Sequence, residues 1–202
     1  MDRLFVVARH AESTLNAERR VNGDPSVPVG LTEKGREESR QLGVQLAGLP
    51  LEACVVTRFL RTRETAELAL EGRGVPLHEE PLLDDIRVGD LDGKTIEEYR
   101  AWKHGNARSV PFPGGESLDD AAARYAEGFA RLLASPWETT LVVCHEIPLR
   151  YLLNAAGGSH ELDGPVHELR NATPYLFDED GLARGVEGLA RLTRGEAGSH
   201  QA

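Results

Sequence analysis

An arginine and a histidine stand side by side at Arg9 and His10, directly after the apolar run from Leu4 to Ala8. An uninterrupted apolar run of this kind is typical of a strand buried in a parallel sheet. A permanent cation and a nitrogen nucleophile therefore meet where a core strand ends. This pair suits chemistry on an anion, because guanidinium groups bind oxyanions and a neutral imidazole can attack an electrophile.

Two later runs repeat this arrangement. The run 141–144 leads into His145, and the run 53–57 leads into Arg58, with Arg61 three residues further on. In an open parallel sheet, ligands bind beyond the carboxyl ends of the strands, where the strand order reverses. We therefore expect the three strand ends to converge on one anion pocket, with phosphate as the anion. The residues alone leave open whether Arg58 or Arg61 belongs to it.

Such a pocket could carry out phosphoryl transfer. Two arginines and a histidine can compensate the charge on the equatorial phosphoryl oxygens without a metal. The second histidine could attack phosphorus through a neutral ring nitrogen, because the reference pKa of imidazole is about 6.5. Water could then hydrolyse the phosphohistidine. A leaving alcohol also needs a general acid, and an irregular acidic stretch offers four candidates: Asp84, Asp85, Asp90 and Asp92.

Alternating helix and strand patterns would position these groups. Thr32 predicts the N-cap of a helix that Pro50 closes, and Ser117 with Asp120 forms a capping-box pattern before a strongly periodic helix. The other predicted elements are helices over 59–70, 96–103 and 148–156, strands over 75–78 and 140–144, and a final strand or hairpin over 166–177.

This succession predicts an α/β fold: a single-domain three-layer sandwich with a mainly parallel central sheet flanked by helices. We expect the domain to cover residues 1–180 and residues 181–202 to form a C-terminal tail, partly disordered at its end. Two cysteines, Cys54 and Cys144, lie inside apolar runs, and we expect both to be buried reduced thiols.

The charge balance limits the partners. The chain has 33 acidic residues against 23 Lys and Arg, for a net charge of −10. Nucleic acid and anionic membranes need a basic face, so neither is expected as a partner. A small phosphorylated molecule fits, because a local cationic cluster can oppose the overall sign. The first apolar run is too short for a signal peptide, so we expect a cytoplasmic location, and both a monomer and a homodimer remain open.

A collinear series of motifs over roughly residues 3 to 177 resembles the histidine phosphatase superfamily, the phosphoglycerate mutase-like proteins with an R-H-G motif. VVARHAESTLN is similar to R-H-G-E-S/T-x-x-N, and VVTRFLRTRETAE to S-x-x-x-R-A-x-Q-T-A. LLDDIRVGDLDG is similar to L-x-E-x-x-x-G-x-x-E-G, and the other matching segments are RRVNGD, LTEKG, PGGES and VVCHEIPLR. The resemblance implies a histidine phosphatase-like domain with the phosphoglycerate mutase-like fold.

The resemblance also assigns roles to residues. It makes His10 the phosphorylated nucleophile and Asp85 the acidic proton donor, and it selects Arg61 over Arg58. It implies that three groups hold the phosphoryl oxygens: Arg9, Arg61 and His145. It implies that further residues line the substrate pocket: Asn16, Asn22, Gly23 and Glu146. It implies neither a metal nor a cofactor.

Three residues depart from the family pattern. Asp85 replaces the usual glutamate, so its carboxyl group must reach from one methylene further back. Ala11 and Glu146 stand where glycine is common, and both positions lie near the phosphate. A carboxylate at Glu146 could repel it.

These observations predict a metal-independent phosphomonoesterase that acts on a small phosphorylated metabolite through a phosphohistidine. A cofactor-dependent phosphoglycerate mutase is the alternative enzyme, but the chain is short for that role and the loop after Asp85 offers little enclosure. A catalytically impaired phosphate-binding or scaffold protein is the alternative from another class. The loop over 82–113 should set specificity, and its basic residues are either helix surface or contacts for a second anionic group of the substrate: Lys94, Arg100, Lys103 and Arg108.

Overall fold

A single mixed sheet organises this computed structural model, which describes residues 3–194 and places five strands in that range. The strands are β1 (Leu4–Arg9), β2 (Ala53–Val56), β3 (Leu77–Glu79), β4 (Thr139–Cys144) and β5 (Pro174–Asp178). Their order across the sheet is β3-β2-β4-β1-β5. The first four run parallel, and β5 runs antiparallel to β1. The mainly parallel sheet predicted from the sequence is confirmed.

Helices connect the strands. They are α1 (Thr14–Ala17), α2 (Glu33–Gln45), α3 (Leu60–Ala69), α4 (Ile96–Gly105), α5 (Leu118–Leu133), α6 (Glu146–Ala156) and α7 (Glu179–Thr193), with short 3₁₀ turns at Pro81–Leu83 and Gly89–Leu91. Both predicted N-caps are confirmed. The Thr32 hydroxyl accepts a hydrogen bond from the backbone N–H of Gly35 at 3.0 Å, and Ser117 and Asp120 form a reciprocal capping box.

The strands alternate their side chains between two helical layers. Phe5 and Val7 of β1 belong to the core beneath α5, α6 and α7. Val6 and Ala8 belong to the core beneath α2 and α3. Because both faces are covered, the inner strands are apolar at nearly every position, as expected for a parallel sheet between helices. The three-layer sandwich is confirmed.

The pairing of β1 with β4 places the two key histidines together. Arg9 at the end of β1 lies opposite Cys144 at the end of β4, so His10 and His145 both leave the sheet at the same level. The backbone N–H of His10 still donates to the carbonyl of Cys144 at 2.9 Å. After β1 the chain builds β2 and β3, which lie beyond β4 at one end of the sheet. After β4 it passes through α6 to β5, which lies beyond β1 at the other end. The strand order therefore reverses between β1 and β4, where ligands bind in open sheets.

The C-terminal part has the expected final element. Of the two alternatives for 166–177, a strand or a hairpin, the structure has the strand: β5 covers Pro174–Asp178 and pairs with β1 at the edge of the sheet. The boundary expected at residue 180 falls inside α7, whose Leu182 and Leu189 are fully buried in the core. The expected disorder concerned the end of the tail, which lies outside the described residues.

The remaining expectations about the chain concern its thiols and its helices. Cys54 and Cys144 are free and buried, as expected, and burial raises the pKa of Cys144 to about 12. That thiol stays protonated at neutral pH and packs as a small apolar side chain.

In the part of the chain that the structure describes, no helix is long and apolar enough to cross a membrane.

Candidate active site

Three segments converge beyond the carboxyl ends of β1, β2 and β4. His10 directly follows β1, Arg61 lies in the first turn of α3 after β2, and His145 caps the N-terminus of α6 after β4. All three side chains are buried, with at most 3% of the residue exposed. The imidazole rings of His10 and His145 lie edge to face with their centroids 5.3 Å apart. The structure therefore brings the two imidazoles into contact at the carboxyl edge of the sheet.

The hydrogen bonds of His10 fix its tautomer. Nδ1 lies 2.7 Å from the carbonyl of Ala11, which can only accept, so Nδ1 carries the proton. Nε2 therefore holds a lone pair, which accepts from Nε of Arg61 at 3.0 Å. The Asn171 side chain donates to the His10 carbonyl at 2.7 Å and holds the backbone in place. Burial, with the charges of Arg61 and Arg9, lowers the pKa of His10 well below its usual value and keeps the ring neutral.

His145 has the opposite tautomer. Its Nδ1 lies 3.0 Å from Nη2 of Arg61, which can only donate, so the proton of the neutral ring is on Nε2. Nε2–H donates to the Thr57 hydroxyl at 2.9 Å. That hydroxyl lies 3.0 Å from the hydroxyl of Thr62, which donates to the Phe59 carbonyl at 2.8 Å. Burial lowers the pKa of His145 well below its usual value, and Arg61 adds to this effect.

Arg61 lies at the centre of the site. Besides both imidazoles, it contacts the side-chain oxygen of Asn22 through Nη1 at 2.5 Å and Oδ2 of Asp85 through Nη2 at 3.0 Å. Its guanidinium carbon lies 4.2 Å from the centroid of the Phe59 ring. Burial lowers the pKa of Arg61 to about 10, against the opposing effect of Asp85. The group therefore remains a cation at neutral pH.

Arg58 and Arg61 have different environments. The side chain of Arg58 is 47% exposed and pairs with the buried carboxylate of Asp84 at 2.6 Å. Asp84 also accepts from the backbone N–H of Arg58 at 3.0 Å. This pair joins the turn before α3 to the loop that carries Asp84, whereas Arg61 contacts both imidazoles.

Asp85 lies at the rim of the cluster. Its side chain is 21% exposed, and Oδ2 lies 3.0 Å from Nη2 of Arg61 and 3.5 Å from Nδ1 of His145. Burial raises the pKa of Asp85, while the positive charge of Arg61 lowers it to a smaller extent. The aspartate is therefore long enough to reach the cluster, although the family pattern has a glutamate in this register.

The loop that carries Asp85 is held from α5. Arg124 donates through Nη1 to the Asp84 carbonyl at 2.9 Å and through Nη2 to the Asp85 carbonyl at 3.2 Å. The buried carboxylate of Glu116 in turn accepts from Nη2 of Arg124 at 2.6 Å. A buried charge pair of this kind costs free energy if one partner is removed, so the loop is firmly attached to the core.

Arg9 and Glu146 form a partly exposed ion pair beside the buried cluster, at what we call the mouth of the predicted pocket. Nη1 of Arg9 lies 2.6 Å from Oε2 of Glu146 and donates to the carbonyl of Leu169 at 2.8 Å. The side chain of Arg9 is 17% exposed. Glu146, which is predicted to repel phosphate, is therefore paired with Arg9, which is predicted to bind phosphate.

The other predicted pocket residues differ in their contacts. Asn22 touches Arg61 as described above. Gly23 approaches the Ile86 carbonyl so closely that a Cβ atom would overlap with it, and its N–H donates to Oδ1 of Asp92 at 2.5 Å. The side chain of Asn16 accepts from the backbone N–H of Ser13 at 3.3 Å in the capping box of α1. Asn16 is therefore the third residue of α1 and the partner of the N-cap Ser13.

Several residues of the site did not stand out in the sequence: Thr57, Thr62, Glu116, Arg124 and Asn171. Thr57 offered one signal, a hydroxyl at the last position of a predicted core strand. Glu116 lies just before α5 in the matching segment PGGES, but the sequence assigned it no role. Arg124 offered no signal, because α5 presents many charged residues and only the tertiary structure selects this one. In the described range 3–194, no group of three or more His, Cys, Asp or Glu side chains is placed to hold a metal ion.

The fold and the site together define a class of protein: an α/β sandwich in which a buried guanidinium contacts two imidazoles, one of them with a lone pair on Nε2. A model of the histidine phosphatase superfamily (branch 1) matches residues 5–187. The chain therefore belongs to this family, as its motifs indicated.

Individual relatives agree with this assignment. A 2,3-bisphosphoglycerate-dependent phosphoglycerate mutase of Methylobacterium radiotolerans is 31% identical over 198 residues, which cover 88% of this chain and 90% of the relative. The solved structure of Bacillus stearothermophilus YhfR has a TM-score of 0.76 at 29% identity, covering 86% of this chain and 89% of that one. An alpha-ribazole phosphatase from Shigella flexneri has a TM-score of 0.75 at 22% identity, with 86% and 89% covered, and shows the same fold.

Proposed function

We propose that this protein is a metal-independent phosphomonoesterase that hydrolyses a small phosphorylated metabolite through a phosphohistidine on His10. One observation carries this proposal. The Nε2 lone pair of His10 lies in a buried cluster with Arg61 and His145, two groups that can hold the oxygens of the phosphoryl group it would attack. Membership of the histidine phosphatase superfamily supports the same chemistry.

The first step is binding of the phosphoryl group between the two rings. In the resting site, Arg61 directs its donors to His10 and His145. Phosphoryl oxygens would take over these donors, with Arg9 as a further ligand. The lone pair on Nε2 of His10 is then released for in-line attack on phosphorus. Donors that are already positioned stabilise the developing charge without further reorganisation.

The second step is the transfer of a proton to the leaving oxygen. Asp85 is the acid in this proposal, because its carboxyl group lies at the rim of the cluster and burial raises its pKa. After the alcohol leaves, the Asp85 carboxylate takes a proton from the water that attacks the phosphohistidine. His10 is regenerated and inorganic phosphate leaves. Asp85 thus acts once as an acid and once as a base.

The test compares the wild type with His10→Ala in the hydrolysis of p-nitrophenyl phosphate, with no metal added. We expect turnover by the wild type and loss of at least about a thousandfold in kcat for the variant, because the nucleophile is absent. Acid quenching during turnover should trap acid-labile phosphate on the wild type alone. Equal rates for the two proteins would contradict the proposal. Binding of vanadate without turnover by either would favour a scaffold protein.

A phosphoglycerate mutase is the second candidate, because the Methylobacterium radiotolerans relative bears that name. A mutase must keep its phosphoenzyme from water and must hold a carboxylate beside the phosphate. Here the carboxylate of Glu146 lies at the mouth of the pocket and disfavours a second carboxylate there. With 3-phosphoglycerate, with or without 2,3-bisphosphoglycerate, we expect release of inorganic phosphate to exceed isomerisation. The opposite ratio would make the protein a mutase.

We further propose a cytoplasmic protein that acts on a small molecule and does not bind nucleic acid. The net charge of −10 supports this, because a nucleic-acid surface would be repelled. The two buried reduced cysteines fit a reducing compartment.

A further inference from the structure

Glu146 bridges two guanidinium groups at the mouth of the pocket. It is the first residue of α6, directly after His145, and its side chain is 30% exposed. Oε2 lies 2.6 Å from Nη1 of Arg9, and Oε1 lies 3.7 Å from Nη1 of Arg150. One carboxylate thus faces a predicted phosphate ligand on one side and a second cation on the other.

Both guanidiniums have an unused donor. Nε of Arg9 and Nε of Arg150 are buried, and neither has a hydrogen-bond partner among the described residues. A buried N–H without a partner costs free energy, so each of these sites favours a state in which an acceptor arrives. A phosphoryl oxygen could be that acceptor at Arg9. The Glu146 carboxylate could be the acceptor at Arg150 after a rotation of its side chain.

Arg150 is well placed to receive a second carboxylate. Its Nη1 donates to the His167 carbonyl at 3.1 Å, and its Nη2 pairs with Oδ1 of Asp163 at 2.9 Å. The same aspartate also pairs with Lys103 at 2.8 Å and with Arg108 at 2.7 Å. Three cations therefore share Asp163, while Asp119 pairs with Arg108 and Glu146 with both Arg150 and Arg9. The four cations linked by these ion pairs outnumber the three carboxylates, and the cluster is held in place from several elements.

We propose that Glu146 is an internal competitor of the phosphoryl group for Arg9, displaced onto Arg150 when substrate binds and returning to Arg9 when inorganic phosphate leaves. This rests on the proposed function only in taking phosphate as the ligand. The carboxylate weakens the binding of phosphate and so limits inhibition by the product. It also sets specificity, because a substrate with an anionic group next to its phosphoryl group would meet Glu146 in either position.

The first test measures the affinity for inorganic phosphate by calorimetry, which requires no turnover. Glu146→Gln keeps the shape of the side chain and removes its charge. We expect its Kd for phosphate, and its inhibition constant for phosphate in turnover, to be at least about tenfold lower than in the wild type, because the competing charge is gone. The matched control is Glu168→Gln, which removes an exposed charge from the nearby loop and should leave Kd within about twofold.

The second test asks whether Arg150 is the receiving group. Arg150→Met should weaken phosphate binding about fivefold in the wild-type background, because Glu146 loses its alternative partner. In the Glu146→Gln background the same change should have less than about a twofold effect. A double-mutant cycle isolates this coupling from a general structural effect of Arg150. Thermal unfolding of each variant checks that all four proteins are folded.

Four outcomes would overturn the inference. Equal phosphate affinity of the wild type and Glu146→Gln would remove the competition, and an equal effect of Arg150→Met in both backgrounds would remove the exchange. A loss of kcat in Glu146→Gln for alkyl but not for aryl phosphates would make Glu146 a proton donor instead. Failure of both the wild type and Glu146→Gln to bind phosphate would overturn the proposed function as well, whereas equal binding by the two overturns only this inference.

Discussion

At the scale of single residues, Arg61 connects the polar groups at the centre of the resting site. This one side chain donates to both imidazoles, to Asn22 and to Asp85. A guanidinium can do this because its donors form a rigid planar fork. The consequence is that Nε2 of His10 stays unprotonated and that Arg61 orients His145, Asn22 and Asp85 before substrate arrives.

The first prediction separates Arg61 from its neighbour. Arg61→Ala should lower kcat/KM for p-nitrophenyl phosphate by at least about 100-fold, because a charge-assisted donor to the developing anion is lost. Arg58→Ala is the matched control and should cost less than about tenfold, since Arg58 pairs with Asp84 outside the cluster. A loss below tenfold for Arg61→Ala would mean that Arg61 is not the phosphate ligand that the family motif assigns.

The second prediction concerns pH. Attack needs a neutral His10, and departure of the alcohol needs a protonated Asp85. Ordinary pKa values of about 6.5 and 3.9 would make this combination rare at any pH. Burial lowers the pKa of His10 and raises the pKa of Asp85, so the two values move towards each other and the active combination becomes more abundant.

The profile of kcat/KM against pH should therefore fall at low pH as His10 gains a proton and at higher pH as Asp85 loses one. Its maximum should lie on the acid side of neutrality. Asp85→Asn should abolish the fall at higher pH and retain the fall at low pH, with an alkyl phosphate as the substrate. An unchanged alkaline limb in Asp85→Asn would show that another group supplies the proton.

At the scale of elements, the sequence predicts those site residues that directly follow a recognisable strand. His10 and His145 follow apolar runs, and parallel strands share one carboxyl edge, so their convergence could be expected. The supports of the site could not be expected in the same way. Arg124 is one of several charged residues on α5, and its bonds to the loop of Asp85 depend on how α5 packs against the 3₁₀ turn at Pro81–Leu83.

The last helix shows the same limit of local pattern. The stretch after Asp178 mixes glycine with charged residues, which suggests a loose tail. Yet Gly185 lies against the side chain of Leu152 and Gly188 against the Ala155 carbonyl, so these glycines allow α7 to approach α6 closely. Their value lies in a contact between elements far apart in sequence, which composition alone does not reveal.

The third prediction tests whether α7 belongs to the domain. Leu189 is fully buried against the core, so Leu189→Ala should lower the free energy of unfolding by about 2–5 kcal/mol through lost burial and the cavity that remains. Val44→Ala, at a position that is 68% exposed on α2, should change it by less than about 0.5 kcal/mol. Urea denaturation measures both. Equal midpoints for the two variants would show that α7 contributes little to stability.

At the scale of the whole molecule, the charge of the chain and the charge of the pocket have opposite signs. The chain has a net charge of −10, while the site contains the guanidiniums of Arg9 and Arg61 beside two neutral imidazoles. Asp85 and Glu146 compensate part of this charge in the resting state. An oxyanion that enters the pocket supplies better compensation, so binding and folding should be coupled.

The fourth prediction follows from this coupling. Inorganic phosphate at about 100 times its Kd should stabilise the folded protein by about 2.7 kcal/mol, because phosphate binds only the assembled pocket. For a chain of this size, that gain corresponds to a rise in Tm of about 5–10 °C. Sodium chloride at matched ionic strength is the control and should give no comparable rise, since screening acts on surface charges and not on a buried site. Arg61→Ala should lose the response to phosphate whatever its own Tm, because the central donor is gone. An equal rise with chloride, or an undiminished rise in Arg61→Ala, would locate the effect of phosphate outside this pocket.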